Sequence, residues 1–557
     1  MGFILKEKAA FIILFIISVI FVFDLFIHQG RPSTFDGPTH LANIAQVHAG
    51  LADGDFPVRW GGEFARYGWP APQFAQQTTS YLGAFLTFIT NDIVISYNLV
   101  VLIGVFVSSL LMYIFLRFHA RQTAALIGVI VFHFAPYRIM NVYIRGALPE
   151  FFASIFIISI LIALYLVLKK ESVKGYYLLT ISVALLLLTH LFMFIVGSFI
   201  FITYGLYLLN ENRKNLFIKI IALGLSIGLG IGLTSYYIFP LFMEVKYLYY
   251  GGAGGHFVQG HFLTWKNFLT ENWQYFFQGD IDVRGNILQS GIIESVILIM
   301  SVVHLTQRYI QKKSINVLLL IVTIVGVIYV FFTTSLSSIF YQTPLGSIQH
   351  PWRMLTGFII IPPIVLSLMM DKLSKKYMSA SIIIIVIAIG VLRFPQLYGK
   401  NYLLENQRTY YQTHDNLHGT IMNTIWMGEV RDYPYKDTKV EIFEGDGKIS
   451  DLFVSNSSRS FIINSLSNTK VADYTFYFPG WRTYIDGVET QIQFQDPKYR
   501  GVITYEVPSG RHEVKSKFTN TKPRIVGNIL TMMGVFAFGV IVMFFPKAQK
   551  KFHLPFK

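Results

Sequence analysis

Asp36 lies in the run Thr34-Phe35-Asp36-Gly37-Pro38-Thr39-His40. Pro38 suits the first turn of a helix, and Leu41, Ile44, Ala45 and His48 then share one face until Gly50 ends it. A carboxylate at the head of such a helix, at the mouth of a membrane cavity, can take a proton from an acceptor hydroxyl. It can equally do no more than complement the positive end of the helix. His40 is a second polar group at the same place. As a metal ligand it has no second histidine at local spacing.

The same segment continues Phe56-Pro57-Val58-Arg59-Trp60 and Arg66-Tyr67-Gly68-Trp69-Pro70. Arg59, Trp60, Arg66 and Tyr67 suit a pyranose or phosphate site, with ring faces on sugar C–H surfaces and guanidinia on anions. An interfacial aromatic belt with snorkelling arginines fits the same residues. A second group reads Tyr137-Arg138-Ile139 and Arg145-Gly146-Ala147-Leu148-Pro149-Glu150. Glu150 follows Pro149 at a helix start, where a first-turn acid has an adequate structural role. Arg145 needs an anionic partner at membrane depth, and a lipid phosphate would serve. His190 reads as a buried histidine satisfied by backbone, or as a ligand or base. Arg353, in Gln349-His350-Pro351-Trp352-Arg353, is a second arginine for phosphate or for snorkelling. The glycine-rich run Gly251–Gly255 lacks the strand–helix context of a phosphate loop and reads as a mobile external loop.

The elements that position these residues must be a membrane scaffold. Of 557 residues 53% are hydrophobic and 14% charged, and mean hydropathy is +0.50, against about 25% charged in soluble domains. Apolar runs near 9–27, 94–116, 122–140, 150–168, 176–190, 191–209, 217–239, 291–306, 315–332, 353–370, 379–393 and 525–545 predict about twelve spanning helices. The pair 176–190 and 191–209 is short enough to be one kinked helix or a re-entrant hairpin. Lys/Arg clusters such as Lys169/Lys170/Lys174 and Lys372/Lys375/Lys376 fall between the runs. The net charge of +15 therefore orients helices instead of binding nucleic acid, and both termini are expected in the cytoplasm. The first run, after Lys6 and Lys8, has no small-residue cleavage site and is expected to be retained. With no cysteine, thiolate chemistry and disulfides are excluded.

The large polar segments 28–93, 244–290, 333–352 and 394–524 all fall outside, and no internal repeat of the transporter kind is visible. From about Lys439 short alternating runs separated by Asp486-Gly487 and Pro508-Ser509-Gly510 predict a small antiparallel β-domain. The expected division is 1–393 as a multi-helix membrane domain, 394–524 as an extracytoplasmic β-domain, and 525–557 as a last helix with a basic cytoplasmic tail.

Taken together, six runs resemble, in order and spacing, bacterial multi-pass proteins labelled "6-pyruvoyl-tetrahydropterin synthase-related". They are Phe35-Asp36-Gly37-Pro38-Thr39-His40-Leu41, Phe56-Pro57-Val58-Arg59-Trp60, Tyr67-Gly68-Trp69-Pro70, Arg145-Gly146-Ala147-Leu148-Pro149-Glu150, Gln349-His350-Pro351-Trp352-Arg353 and Phe478-Pro479-Gly480-Trp481-Arg482. Pterin chemistry does not follow, because the pterin enzyme uses a histidine-bound zinc and a catalytic cysteine that this chain lacks.

That family is similar to the GT-C superfamily of membrane glycosyltransferases. These take a sugar from a polyprenyl phosphate on the outer face, using an acid in the first external loop. The resemblance implies a GT-C-like helical fold and Asp36 as that acid, and location then puts Arg145 and Arg353 on the lipid phosphate. From their location alone, His40 or Glu150 is expected to position the acceptor. Substrate contacts are expected at Arg59, Trp60, Arg66, Tyr67, Arg138, Arg145, His190, His350 and Arg353. No acid adjoins Asp36 to complete the Asp-Asp or Glu-x-Asp pair of some members, and Asp53-Gly54-Asp55 reads as a turn. No metal ligands are assigned, and a divalent cation (Mg or Mn) is allowed without being required.

The expected partners are a polyprenyl-phosphate sugar donor, an envelope glycan or lipid acceptor, and membrane lipids. The expected location is the bacterial cytoplasmic membrane. A transporter or flippase for lipid-linked glycans would predict acids and bases at helix midpoints, and apart from His133 and His190 the spans carry few. A non-catalytic scaffold would predict a silent Asp36→Asn. A glycan polymerase has the same sequence signature as a transferase.

Overall fold

The computed structural model describes residues 7–248, 262–269, 289–412, 423–428, 433 and 436–552. The run 251–255 lies outside them. Apolar segments without water must close their hydrogen bonds internally, so they fold as helices. Among the described residues ten helices are long and apolar enough to cross a membrane. They are Lys8–Ile27, Ile93–Arg117, Gln122–Tyr143, Leu148–Leu168, Leu191–Glu211, Leu216–Leu233, Ile292–Ile310, Pro351–Met370, Lys375–Gln396 and Lys522–Phe544. Two further apolar helices, Val173–Thr189 and Val317–Thr333, are shorter. The ambiguous region before residue 211 thus folds as two helices separated by one extended residue, His190.

Leu148–Leu168 is buried along nearly its whole length and forms the centre of the bundle. Two spans are interrupted. Gln122–His133 stops and resumes as Pro136–Tyr143, while Pro351–Met354 is a 3-10 turn leading into Leu355–Phe358 and Ile361–Met370. Pro136, Pro351, Pro362 and Pro363 lack the amides that an unbroken ladder needs. The polar segment 28–93 is itself largely helical, with Gly37–Ala52 and Gln77–Thr90.

Strand β1 (Arg31–Pro32) pairs antiparallel with β2 (Tyr402–Leu403), which ties the first polar segment to the chain after the eleventh predicted run. The remaining strands are β3 (Val440–Glu444), β4 (Gly447–Val454), β5 (Ser458–Ser465), β6 (Thr469–Phe476), β7 (Trp481–Ile485), β8 (Val488–Thr490), β9 (Val502–Val507) and β10 (Gly510–Phe518). They form a five-stranded sheet, β4-β5-β10-β7-β8, and a three-stranded sheet, β3-β6-β9. Phe461, Val471, Trp481, Ile503 and Val514 from both sheets share one core. Asp486 and Gly487 between β7 and β8 both have positive φ, 48° and 82°, as a two-residue hairpin requires.

Candidate functional site

The backbone around Asp36 is held from two sides. On one, β1 pairs with β2 and the Ser33 amide donates to Asn401 O at 2.8 Å. On the other, the Phe35 amide donates to Ile144 O at 3.2 Å and the Asp36 amide to Arg145 O at 2.6 Å. Gly146 makes the second contact achievable: its φ is +65°, and a Cβ there would stand 2.5 Å from Thr34 Oγ1 and 2.6 Å from Gly37 N. Arg31 adds a bidentate pair with Glu405, at 2.7 and 2.9 Å.

Asp36 stands at the N-cap of Gly37–Ala52, with Pro38 in the first turn, yet its side chain accepts no capping bond. Among the described residues the half-buried carboxylate has no hydrogen-bond or ion-pair partner. It lies instead within electrostatic reach of Arg145 and Arg353. The helix-end reading of Asp36 explains its position but gives its oxygens nothing to do.

The arginines converge on Glu150. Arg145 Nη2 lies 3.0 Å from Glu150 Oε2, and Arg353 Nε lies 3.4 Å from the same oxygen. Glu150 Oε1 accepts from the Tyr137 hydroxyl and, at 3.0 Å, from Thr356 Oγ1. Arg145 Nη1 donates to Tyr137 Oη at 2.9 Å and Asn141 Oδ1 at 2.8 Å. Arg353 Nη1 donates to Ile348 O and Gln349 Oε1, both at 2.8 Å. The two interrupted spans deliver these partners, since Tyr137 opens the resumed piece of one and Arg353 sits in the 3-10 turn of the other.

Glu150 is therefore a saturated buried carboxylate, 2% exposed, and offers no free oxygen as a base. Burial opposes the Arg145 charge, but Glu150, Tyr137 and Asp36 overcome it and hold the guanidinium more firmly protonated than an ordinary arginine. His190 joins the group electrostatically, facing Arg353, Glu150, Arg145 and His40. Tyr137 and Thr356 are the partners that sequence reasoning missed. Thr356 lies one helical turn after Arg353, which was the available signal.

Other expected contacts are placed elsewhere. Arg138 turns away into the bundle, donating to Ser108 Oγ at 2.8 Å and Ser154 Oγ at 3.2 Å beneath the rings of Phe132 and Phe151. His350 stacks flat on Trp352, centroids 4.2 Å apart. Arg59 is buried and fully engaged, donating to Gln73 Oε1, to Tyr236 O at 3.0 Å and to Asn528 Oδ1 at 2.7 Å. Burial, and then the Arg524 charge, lower its pKa to about 10. Trp60 is wedged against Trp481 and Phe518 of the β sandwich, and Tyr67 stacks on Phe476. The backbone carbonyl of Arg66 accepts from Lys439 Nζ. Arg59 thus meets the helix residues Gln73, Tyr236 and Asn528, while Trp60, Arg66 and Tyr67 meet the β-domain.

The Asp53-Gly54-Asp55 turn does the same work. Asp53 accepts from the Asn456 amide, and Asp55 from Asn456 Nδ2 and Ser457 Oγ, both at 2.8 Å. Among the described residues no three His, Cys, Asp or Glu side chains are grouped to hold a metal ion. At the Asp36 site the acids face guanidinia, a donor set that does not suit a divalent cation.

Residues 79–398 match the family described as 6-pyruvoyl-tetrahydropterin synthase related domain, a membrane-protein family. The chain belongs to this family. The matched stretch holds Arg145, Glu150, His190 and Arg353, while Asp36 and the β sandwich lie outside it. No curated protein matches the chain. Among solved structures it is similar to the crystal structure of the Archaeoglobus fulgidus oligosaccharyltransferase in the apo form. Identity is 13% over 77% of this chain and 62% of that one, with a TM-score of 0.43. The chain thus spans less than two thirds of that enzyme, and a likeness at this level carries no weight for activity.

Proposed function

We propose that this membrane protein transfers a sugar from a polyprenyl-phosphate donor to an envelope glycan or lipid acceptor, on the outer face of the bacterial cytoplasmic membrane. Both termini then lie in the cytoplasm, and the chain divides at about 393 and 524 into membrane bundle, outer β-domain and last helix. The observation that carries the reading is a carboxylate, Asp36, unengaged among the described residues and held by backbone beside two guanidinia.

The step is one inverting displacement. Asp36 takes the proton of the acceptor hydroxyl, and the oxygen attacks the anomeric carbon. The bond from that carbon to the phosphate oxygen breaks, its electron pair staying with the lipid phosphate. Arg145 and Arg353 stabilise that charge as it develops. His40, near His190, is suited to orienting the acceptor. Hydrolysis by two facing acids has less support, because Glu150 is engaged on both oxygens.

The test is the sugar composition and linkage of envelope glycans in a deletion strain complemented at matched protein levels. One sugar should vanish on deletion, return with the wild-type protein and stay absent with Asp36→Asn. Full restoration by Asp36→Asn would overturn the reading and favour a scaffold or flippase.

A further inference from the structure

Glu150 Oε2 occupies the point where Arg145 and Arg353 meet, 3.0 and 3.4 Å from their nitrogens, the position an anion bound by both would seek. Two hydroxyls, from Tyr137 and Thr356, fix its other oxygen, so the carboxylate cannot swing away without leaving them unpaired. Two guanidinia and the Glu150 carboxylate leave one net positive charge, against which the nearby Asp36 carboxylate is then set. Arg353 Nη2 makes no bond to any described residue.

We infer that Glu150 is a positioning residue that trims the arginine pair to a single net charge, matching it to a phosphodiester and mismatching it to a phosphomonoester. The inference rests on the transferase reading, in which the donor is a singly charged diester and the departing lipid phosphate a monoester. During transfer the total charge is constant, because the proton lost by the acceptor moves to Asp36 as the phosphate gains its second charge. When Asp36 releases that proton to water, two carboxylates and a dianion face two guanidinia, and repulsion expels the product. Glu150 thus sets product release, and Tyr137 and Thr356 hold it to that task.

The measurement is binding of farnesyl phosphate and of its methyl ester, a monoanionic diester, to the detergent-solubilised full chain by calorimetry. At pH 8 the wild-type protein should bind the diester at least as tightly as the monoester. That preference should fade below about pH 6, where a phosphate monoester takes up a proton. Glu150→Gln should shift selectivity toward the monoester by about tenfold, the effect of one unit charge at close range in a partly screened site. Glu150→Asp, which keeps the charge, should retain the wild-type ratio.

A wild-type preference for the monoester at pH 8, or an unchanged ratio in Glu150→Gln, overturns the inference and leaves the transferase reading standing. Failure of the wild-type protein to bind either ester removes the phosphate site and the inference with it. The wild-type pH series decides the question even if Glu150→Gln does not fold.

Discussion

The first polar segment contains two stretches that look equally equipped for chemistry, and the fold treats them oppositely. Residues 53–69 hold two arginines, two tryptophans, a tyrosine and two aspartates. There the Arg59 and Trp60 side chains are buried, and Asp53 and Asp55 bond the β4–β5 turn. Residues 31–40 hold fewer showy residues, but their one acid, Asp36, is clamped through its backbone while its carboxylate stays unengaged. A buried polar group stabilises a fold only when satisfied. A reacting group must keep an open valence. Richness in arginine and aromatics therefore marks an interface here, and availability marks the candidate site.

The sharpest way to break this contrast is to exchange the outcomes. Asp36→Asn should lower sugar transfer by about 10²- to 10⁴-fold, the usual span for loss of a general base. Its thermal unfolding should match wild type, and a large loss of stability would move Asp36 to the structural side. Trp60→Ala should do the reverse. Removing the indole from between Trp481 and Phe518 should cost roughly 3–5 kcal/mol of folding stability, read as a lower unfolding midpoint and proteolysis of the β strands. Transfer per folded molecule should remain at the wild-type level, and a collapse of turnover in stable protein would make Trp60 part of the site.

Gly146→Ala falls between the two. Its Cβ would meet Thr34 and Gly37, pushing Asp36 away from Arg145. We expect roughly tenfold slower transfer, since sub-ångström misplacement of a reacting group is costly, with about 1 kcal/mol of lost stability from the positive φ. Equal turnover to wild type would show that the backbone clamp does not set the geometry.

The smallest effect concerns Lys439, which donates to Gly62 O at 3.2 Å and to Arg66 O across the β-domain interface. Burial, and then Arg459, lower it from 10.5 to about 7. Between those values the unfolded chain binds the extra proton, so stability should rise with pH from 7 to about 10. Lys439→Met should flatten that slope in unfolding curves recorded across the same range.

Much of the architecture was legible before any coordinates. The twelve runs counted from hydropathy reappear as ten long and two shorter apolar helices, because length and apolarity alone oblige a segment in lipid to be helical. The strands after Val440 were readable from alternation and from Asp486-Gly487, both local signals. The site was legible only in part. Asp36, Arg145 and Arg353 were singled out, but so were Arg59, Trp60, Arg66, Tyr67 and Arg138, whose side-chain types are no different. Glu150 read as a helix-start acid because its partners Arg353 and Thr356 lie some two hundred residues away.

The sequence by itself determined the twelve apolar helical runs, the strand character after Val440 and the absence of thiol chemistry. Each of these depends on one residue and its near neighbours. Only the tertiary structure decided which arginines meet Glu150, which meet serines or the β-domain, and that the Asp36 carboxylate keeps no hydrogen-bond or ion-pair partner among the described residues. Pairing across the bundle is set by packing of distant segments, such as the approach of Gly146 to Gly37, and no local pattern encodes it.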